Sequence, residues 1–484
     1  MPEGQKATNV GPAAAALGAV ASSDAHEKAS LARASDARRA GGKPQLKKFA
    51  YGFWDPEMKP FRKIALKILG PTVVLSILVM WACLPAYWGS LWKSNHFTDR
   101  LTVRVIDRDG GEIGSAVSQG LLQMKNLKFF STDPSAFPTN EDVAEDVVQE
   151  GVWAAIVISE GATEALAQAR SIGNSSYNGS NAITVYYAQA RNELATGNYL
   201  QPYILEDLGM ITGRFNAESV AQYLGQNAGN ATAMEALARA PTTVVNPVYW
   251  TLDNLRPYNQ PVATAITLVG LIYMLIFAFI ITMTNNAVRE IISPFLTTKS
   301  YIFYRLASPL LCYLPISFLF AMVSLPFKVH FGAHFTYAGG FFLWAFTLFL
   351  GMASVGLATE FAITILGPKF MAFFLIPLII VNVSVASLPH ELQPWIFRYG
   401  VAMPFYNVGK VVRTIIFNTK NEIAMNLGIL LAWIALSLIT IPLAVWLFRR
   451  KAVNAHRRAV AENEYDVNMP DGGRDRSNLT PAKV

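Results

Sequence analysis

Six apolar runs constrain this chain more than any other feature. They fall near 67–88 (KILGPTVVLSILVMWACLPAYW), 262–284, 303–325, 340–366, 370–388 and 426–448. A helix needs about 20 apolar residues to cross the hydrocarbon core of a bilayer, and each run is long enough for one crossing. Only Gly367, Pro368 and Lys369 separate the fourth run from the fifth, which predicts a tight turn. Charged residues make up 15% of the chain, against about 25% in a soluble domain. The expected fold is an α-helical polytopic membrane protein with six transmembrane helices and an α/β extracytoplasmic domain inserted between helices 1 and 2.

Lysine and arginine near the membrane ends set the orientation. Residues 1–64 hold 11 Lys and Arg against 6 Asp and Glu, and residues 449–484 hold 8 against 5. Between the first two runs the balance inverts: residues 93–258 hold 11 against 18. Six crossings and two basic ends agree with each other. Both termini are expected in the cytoplasm and 93–258 outside it, with the plasma membrane as the expected location. Trp88, Trp92, Trp250 and Tyr258 are expected at the outer interface, where amphipathic rings prefer to sit.

The first 48 residues are polar and Ala-rich with no period, as are residues 451–484. Both are expected to be disordered cytoplasmic tails, because they have too little apolar area to offset chain entropy. Lacking an apolar stretch near Met1, the chain is expected to carry no cleaved signal peptide. Residues 47–67, basic with interleaved aromatics, are expected on the anionic inner leaflet. The outer segment alternates strand and helix signals, which argues for an α/β domain. Strands are expected near 101–107, 127–131, 153–158, 183–188 and 244–251, and helices near 115–125, 139–150, 161–170 and 194–225.

Within that domain LTVRVIDRDGGEIGSAVSQGL (101–121) imitates the start of a nucleotide-binding fold. The glycines, Gly110, Gly111 and Gly114, fail the G-x-G-x-x-G spacing, and Asp107 and Asp109 would repel a phosphate. The stretch reads as scaffold: a strand, an Asp-Gly turn and a helix that packs back on the sheet.

Several segments together carry a family resemblance: a VRVIDRDGG strand-turn, VQEGVWAAIVISEGATEAL (148–166), ITVYYAQARNELATGNYL (183–200), and LPHELQPWIFRYGVAMPFYNVGKVVRTIIF (388–417) before the last crossing. Over about residues 50–450 the chain resembles the fungal nitrosoguanidine-resistance protein family, of DUF3533 type. More distantly it resembles ABC-2-type transporter membrane proteins and the phage-infection-protein group. The resemblance implies drug or mutagen resistance, through export or through a changed membrane. It also implies a five-helix ABC-2-like membrane domain over 262–450, with 389–417 as a re-entrant or interfacial element. ABC-2 relatives work with a separate ATPase, and the loop 284–300, where Arg289 and Glu290 are expected to be exposed, would meet it.

No P-loop, zincin or nucleophile-elbow motif occurs, so neither catalysis nor a cofactor is expected, and nothing marks a nucleic-acid partner. The expected partners are the lipid bilayer and either a separate ATPase or a second copy of the chain. His330 and His334 are expected in a solvated outer loop. Ionisable residues near the membrane are costly unless paired or wet, and they supply the transport-path candidates: Glu360 in the fourth run, and Arg398, Lys410 and Arg413 in the 389–417 segment. Glu360 reads either as a proton or cation site or as a structural partner of Arg305 or Lys369. Residues 405–417 read as amphipathic, with Phe405, Val408, Val412 and Ile416 on one side. Asn174, Asn178 and Asn230 sit in N-x-[ST] sequons of the outer segment. Three function classes remain: export or translocation of an amphiphile, regulation of membrane organisation or phospholipid asymmetry without transport, and, from the phage-infection-protein resemblance, an adhesion or receptor role for the outer domain.

Overall fold

The computed structural model describes residues 48–468. The tails expected to be disordered, 1–48 and the far end of 451–484, lie almost wholly outside the described residues. By contact the chain divides into two units. One holds the residues up to Leu78 with Asn286–Pro294, and the other holds Val79–Asn285 with everything from Phe295 onward.

Among the described residues six helices are long and apolar enough to cross a membrane, and they coincide with the six apolar runs. They are α1 (Lys59–Leu91), α7 (Gly270–Ile292), α8 (Thr298–Met322), α9 (Tyr337–Leu366), α10 (Met371–Ala386) and α12 (Ile423–Asn468). Between α1 and α7 in the chain come β1 (Thr102–Asp107), α2 (Glu112–Gln123), β2 (Lys128–Ser131), α3 (Asn140–Val148), β3 (Ala154–Ile158), α4 (Ala162–Ile172), β4 (Ile183–Tyr187), α5 (Gln201–Asn227), α6 (Ala231–Arg239) and β5 (Trp250–Asn254). A further helix, α11 (Pro404–Phe417), precedes α12.

In the first unit the basic aromatic segment forms no separate surface element. Lys59 already belongs to α1, which runs on without a break. Before it, Arg62 caps the turn by donating to the carbonyls of Phe53 and Asp55 and lies over the Phe53 and Trp54 rings. The expected loop 284–300 is helical through Ile292. Arg289, expected to be exposed, is buried and donates to Asn286 at 3.2 Å. The continuing helical turn points it inward, while Glu290 stays at the surface and accepts from Asn286.

In the second unit the strands form one mixed sheet in the order β2-β1-β3-β4-β5. All pairs are parallel except β3 with β4, which run antiparallel with Ala154 opposite Tyr187. That register puts the start of β3 beside the end of β4. Leu101, Val103, Val105 and Ile156 face one layer, with Ile113, Val117 and Leu121 of α2. Ile106, Ala155 and Val157 face the other, against Val143 and Val147 of α3. Side chains buried this completely contribute about 1.5–3 kcal/mol each.

The Asp-Gly turn takes its shape from carboxylates. Asp107 accepts from the backbone N–H groups of Asp109 and Gly110, and Asp109 accepts from those of Gly111, Gly114 and Thr163. Burial works to raise the pKa of Asp109, but the hydrogen bonds from Thr163, Gly114 and Gly111 outweigh it and hold the carboxyl below its ordinary value. The donors at the start of α2 that a phosphate would use are thus already taken by protein oxygens.

One expectation for this region needs correction. The strand expected at 244–251 begins only at Trp250, because Thr242–Val245 form a helical turn after Pro241, and Pro247 has no N–H for a ladder. Trp250 is half-buried against the sheet core and stacks on Tyr249 with centroids 4.0 Å apart. Trp88 and Trp92 do remain exposed.

Among the helices of this unit, α9 is buried on nearly every side and packs against α8, α11 and α12. Gly356 lets α8 approach: a Cβ there would overlap the Tyr313 hydroxyl. The chain turns from α9 to α10 through Gly367, at φ +75°, and a single turn Pro368–Phe370. At the other end α12 runs to Asn468 instead of fraying near 450, in keeping with strong helix formers such as Ala, Arg and Glu in its last turns.

Candidate functional site

Antiparallel pairing of β3 and β4 gathers the residues flanking two strand ends. Glu150 and Trp153 come just before β3, and Arg191, Asn192 and Glu193 follow β4. Facing them are the 3₁₀ turn His390–Leu392 and α11. The two sides share their cores. Leu388 and Leu392 join the cluster under the sheet, and Ala190 joins the cluster of the helix bundle.

Charges stitch the same seam. Lys410 Nζ lies 2.7 and 2.9 Å from the two oxygens of Glu150. Arg413 Nη1 meets Glu193 at 2.5 Å and the Ala190 carbonyl at 3.1 Å. Arg191 lies flat over Trp153, 3.7 Å from the ring centroid, and donates to the Val152 carbonyl at 2.9 Å. Its other nitrogens stand back from Glu150, at 3.8 Å, and Glu391, at 3.5 Å. Trp153 Nε1 donates to Glu391 at 3.3 Å. Burial pushes the carboxyls of Glu150 and Glu193 up, but Lys410 and Arg191 for the first, and Arg413 for the second, outweigh it, so both stay below the ordinary value.

Glu150, Trp153, Arg191, Glu391, Lys410 and Arg413 line a cavity of about 160 Å³. Two aromatic rings, Tyr406 and His390, stack in its wall with centroids 5.1 Å apart. Both His390 nitrogens are buried without a hydrogen-bond partner among the described residues. Burial holds the imidazole below its ordinary pKa, with Lys410 and Arg398 acting the same way against Glu391. A second, more open cavity is lined by Asp99, Arg100, Lys128 and Arg398 and shares His390 and Glu391 with the first.

The sequence-derived candidates thus separate. Lys410 and Arg413 line the first cavity, and Arg398 lines the second. Glu360 is elsewhere, fully buried in α9, where Arg305 of α8 reaches its carboxylate at 3.2 Å and its backbone carbonyl at 3.0 Å. Asn174, Asn178 and Asn230 are exposed. Each turns its side-chain oxygen back to a local backbone N–H, from Ser176, Ser180 and Ala233 respectively. His334 meets Asn418 and Asn421 with its two ring nitrogens.

In α11 Phe405, Val408, Val412 and Ile416 are buried, and so are Val411, Thr414 and Ile415 beyond that stripe. Tyr406 and Lys410 are half-buried, on the side of the cavity. Pro404 starts the helix, and Asn418, in a left-handed conformation at φ 53°, ends it.

A family profile described as "Protein of unknown function (DUF3533)" matches residues 72–439. The chain belongs to the DUF3533 family. It is also 25% identical, over 425 residues, to an "Uncharacterized endoplasmic reticulum membrane protein", YJR015W, of Saccharomyces cerevisiae (strain ATCC 204508 / S288c). That alignment covers 81% of this chain and 82% of the relative. No solved structure matches the chain.

The DUF3533 match spans every residue of the first cavity. Sequence reasoning missed Glu150, Trp153, Arg191, Glu193 and His390. The usable signal was local: charged residues placed within a few positions of the apolar strands β3, fully buried, and β4, buried at all but Thr184.

Proposed function

We propose that this DUF3533 protein is a multi-pass membrane component, ABC-2-like in plan, that translocates an amphiphilic compound and so confers resistance to drugs or mutagens. Residues 93–258 form its extracytoplasmic domain and cap the helix bundle, and both termini lie in the cytoplasm. The observation that carries this reading is the polar cavity where the sheet meets α11, lined by the Lys410–Glu150 pair and by Arg413, which is itself paired with Glu193. A cavity lined by paired charges beside apolar helices suits a molecule with one polar and one apolar end. No catalytic role is proposed.

The yeast relative's title names the endoplasmic reticulum membrane. The lumen of that compartment is topologically equivalent to the cell exterior, so the proposed orientation is the same in either membrane. A fluorescent fusion imaged against markers of both membranes decides between them. A reporter inserted near Asn178 tests the orientation, and a cytosolic signal would overturn it.

Function is tested with a labelled toxic amphiphile. Deletion raises its content in cells, and purified protein in vesicles, with any ATPase that copurifies, restores its movement. The second reading, a non-transporting regulator of membrane organisation or phospholipid asymmetry, is favoured by the burial of Arg289. That burial removes one of the two charges expected to meet an ATPase. Under it vesicles move no solute, while exposure of anionic lipid on cells changes on deletion.

A further inference from the structure

We infer that the cavity between β3, β4 and α11 is a receptor for a phosphate-type oxyanion, with Glu391 as its displaceable plug; this rests on the amphiphile reading above and names the polar end of its substrate.

Arg191 carries the argument. Its side chain is 11% exposed, yet it makes one hydrogen bond, to Val152, while two carboxylates stand 3.5 and 3.8 Å away. Charge-assisted bonds to guanidinium close to about 2.7–2.9 Å when geometry permits. Arg191 sits over Trp153, and its Nε and Nη2, a fork suited to two oxygens, stand towards Glu150 and Glu391 on the cavity wall. His390 adds two buried nitrogens without hydrogen-bond partners among the described residues. Lys410 has three protons and gives two bonds to Glu150. Three donor groups therefore converge on one space and have spare capacity there.

Size and access fit the same ligand. The cavity, about 160 Å³, is small beside the roughly 300–1,000 Å³ of drug-sized pockets, so it admits a head group and not a whole amphiphile. It adjoins the open, basic cavity of Arg100, Lys128 and Arg398, and the wall between them is His390 and Glu391. Glu391, 36% exposed, occupies the position of an incoming anion, held loosely by Arg191 and Trp153.

The test uses the purified full chain in neutral detergent, with dioctanoyl phosphatidic acid, dioctanoylglycerol and inorganic phosphate as probes in calorimetric titration. Phosphatidic acid should bind at least about tenfold more tightly than the glycerol lipid, the value of one charge-assisted bond. Arg191→Gln should abolish the difference and Glu391→Gln should tighten binding severalfold, because it removes the competing carboxylate. Should Arg191→Gln not fold, Glu391→Gln and His390→Asn carry the test. Competition by inorganic phosphate assigns the site to the free anion, and failure to compete assigns it to the lipid; the oxyanion receptor stands in both cases. Equal binding of the two lipids, or a Glu391→Gln variant that binds no more tightly, overturns it. A protein that binds phosphatidic acid but moves no solute in vesicles sinks the transport reading alone.

Discussion

Lys410 of α11 grips Glu150, 260 positions earlier in the chain, with its Nζ within 3 Å of both carboxylate oxygens. This contact ties the sheet to the last part of the helix bundle. Both side chains are largely buried, 19% and 15% exposed, so neither can be left alone cheaply. Removing one partner of a buried pair costs about 3–5 kcal/mol at full burial, and about half that is expected at this exposure. Lys410→Met should lower the unfolding midpoint in detergent, and the double variant with Glu150→Gln should recover most of the loss. A double-mutant cycle by thermal unfolding measures the coupling.

Acid should loosen the same seam. Glu150, Glu193 and Asp109 all have folded-state pKa values below their ordinary ones. A depressed carboxyl stabilises the folded state at any pH above its unfolded value and loses that contribution as pH falls through the folded one. Stability from these groups should be flat from neutral pH down to about 4.3, the ordinary value of a glutamate, and should fall below it. Unfolding midpoints measured against pH check this, and Glu193→Gln should flatten the decline.

Glu360 and Arg305 offer a sharper separation of roles. Their contact is wholly buried between α8 and α9, and Glu360→Ala should destabilise by about 3–5 kcal/mol. If the pair is structural, resistance should fall only in step with the amount of folded protein. Normalising resistance to folded protein, by fluorescence-detected size exclusion, decides it. Loss of resistance at a full complement of folded protein would place Glu360 in the transport path instead.

Gly356 should tolerate nothing larger. Alanine there meets the Tyr313 ring, and overpacking of this kind costs about 1–3 kcal/mol. Tyr313→Phe removes the atom nearest the added methyl and should return part of the loss, read as recovered thermal stability of the double variant.

The sequence exposed some of this architecture and concealed the rest for physical reasons. The six long apolar helices were legible because each is written in consecutive residues, and the 101–121 strand, turn and helix because alternation and Asp-Gly chemistry are local. The site was not, since Arg191 meets Glu391 and Lys410 meets Glu150 only after the sheet has folded. The burial of α11 reaches beyond the one stripe read from its sequence, and its neighbouring pairs, Val411 with Val412 and Ile415 with Ile416, carried that signal: apolar side chains on adjacent positions point to different sides of a helix.

The three-residue turn after Gly367 has a bearing on where the chain can be cut. Only four residues, Gly367–Phe370, separate α9 from α10, so the two helices have little freedom to form apart. A chain cut after Leu366 would keep α9 whole and strip Ala362 and Ile363 of Met371, the partner that buries them.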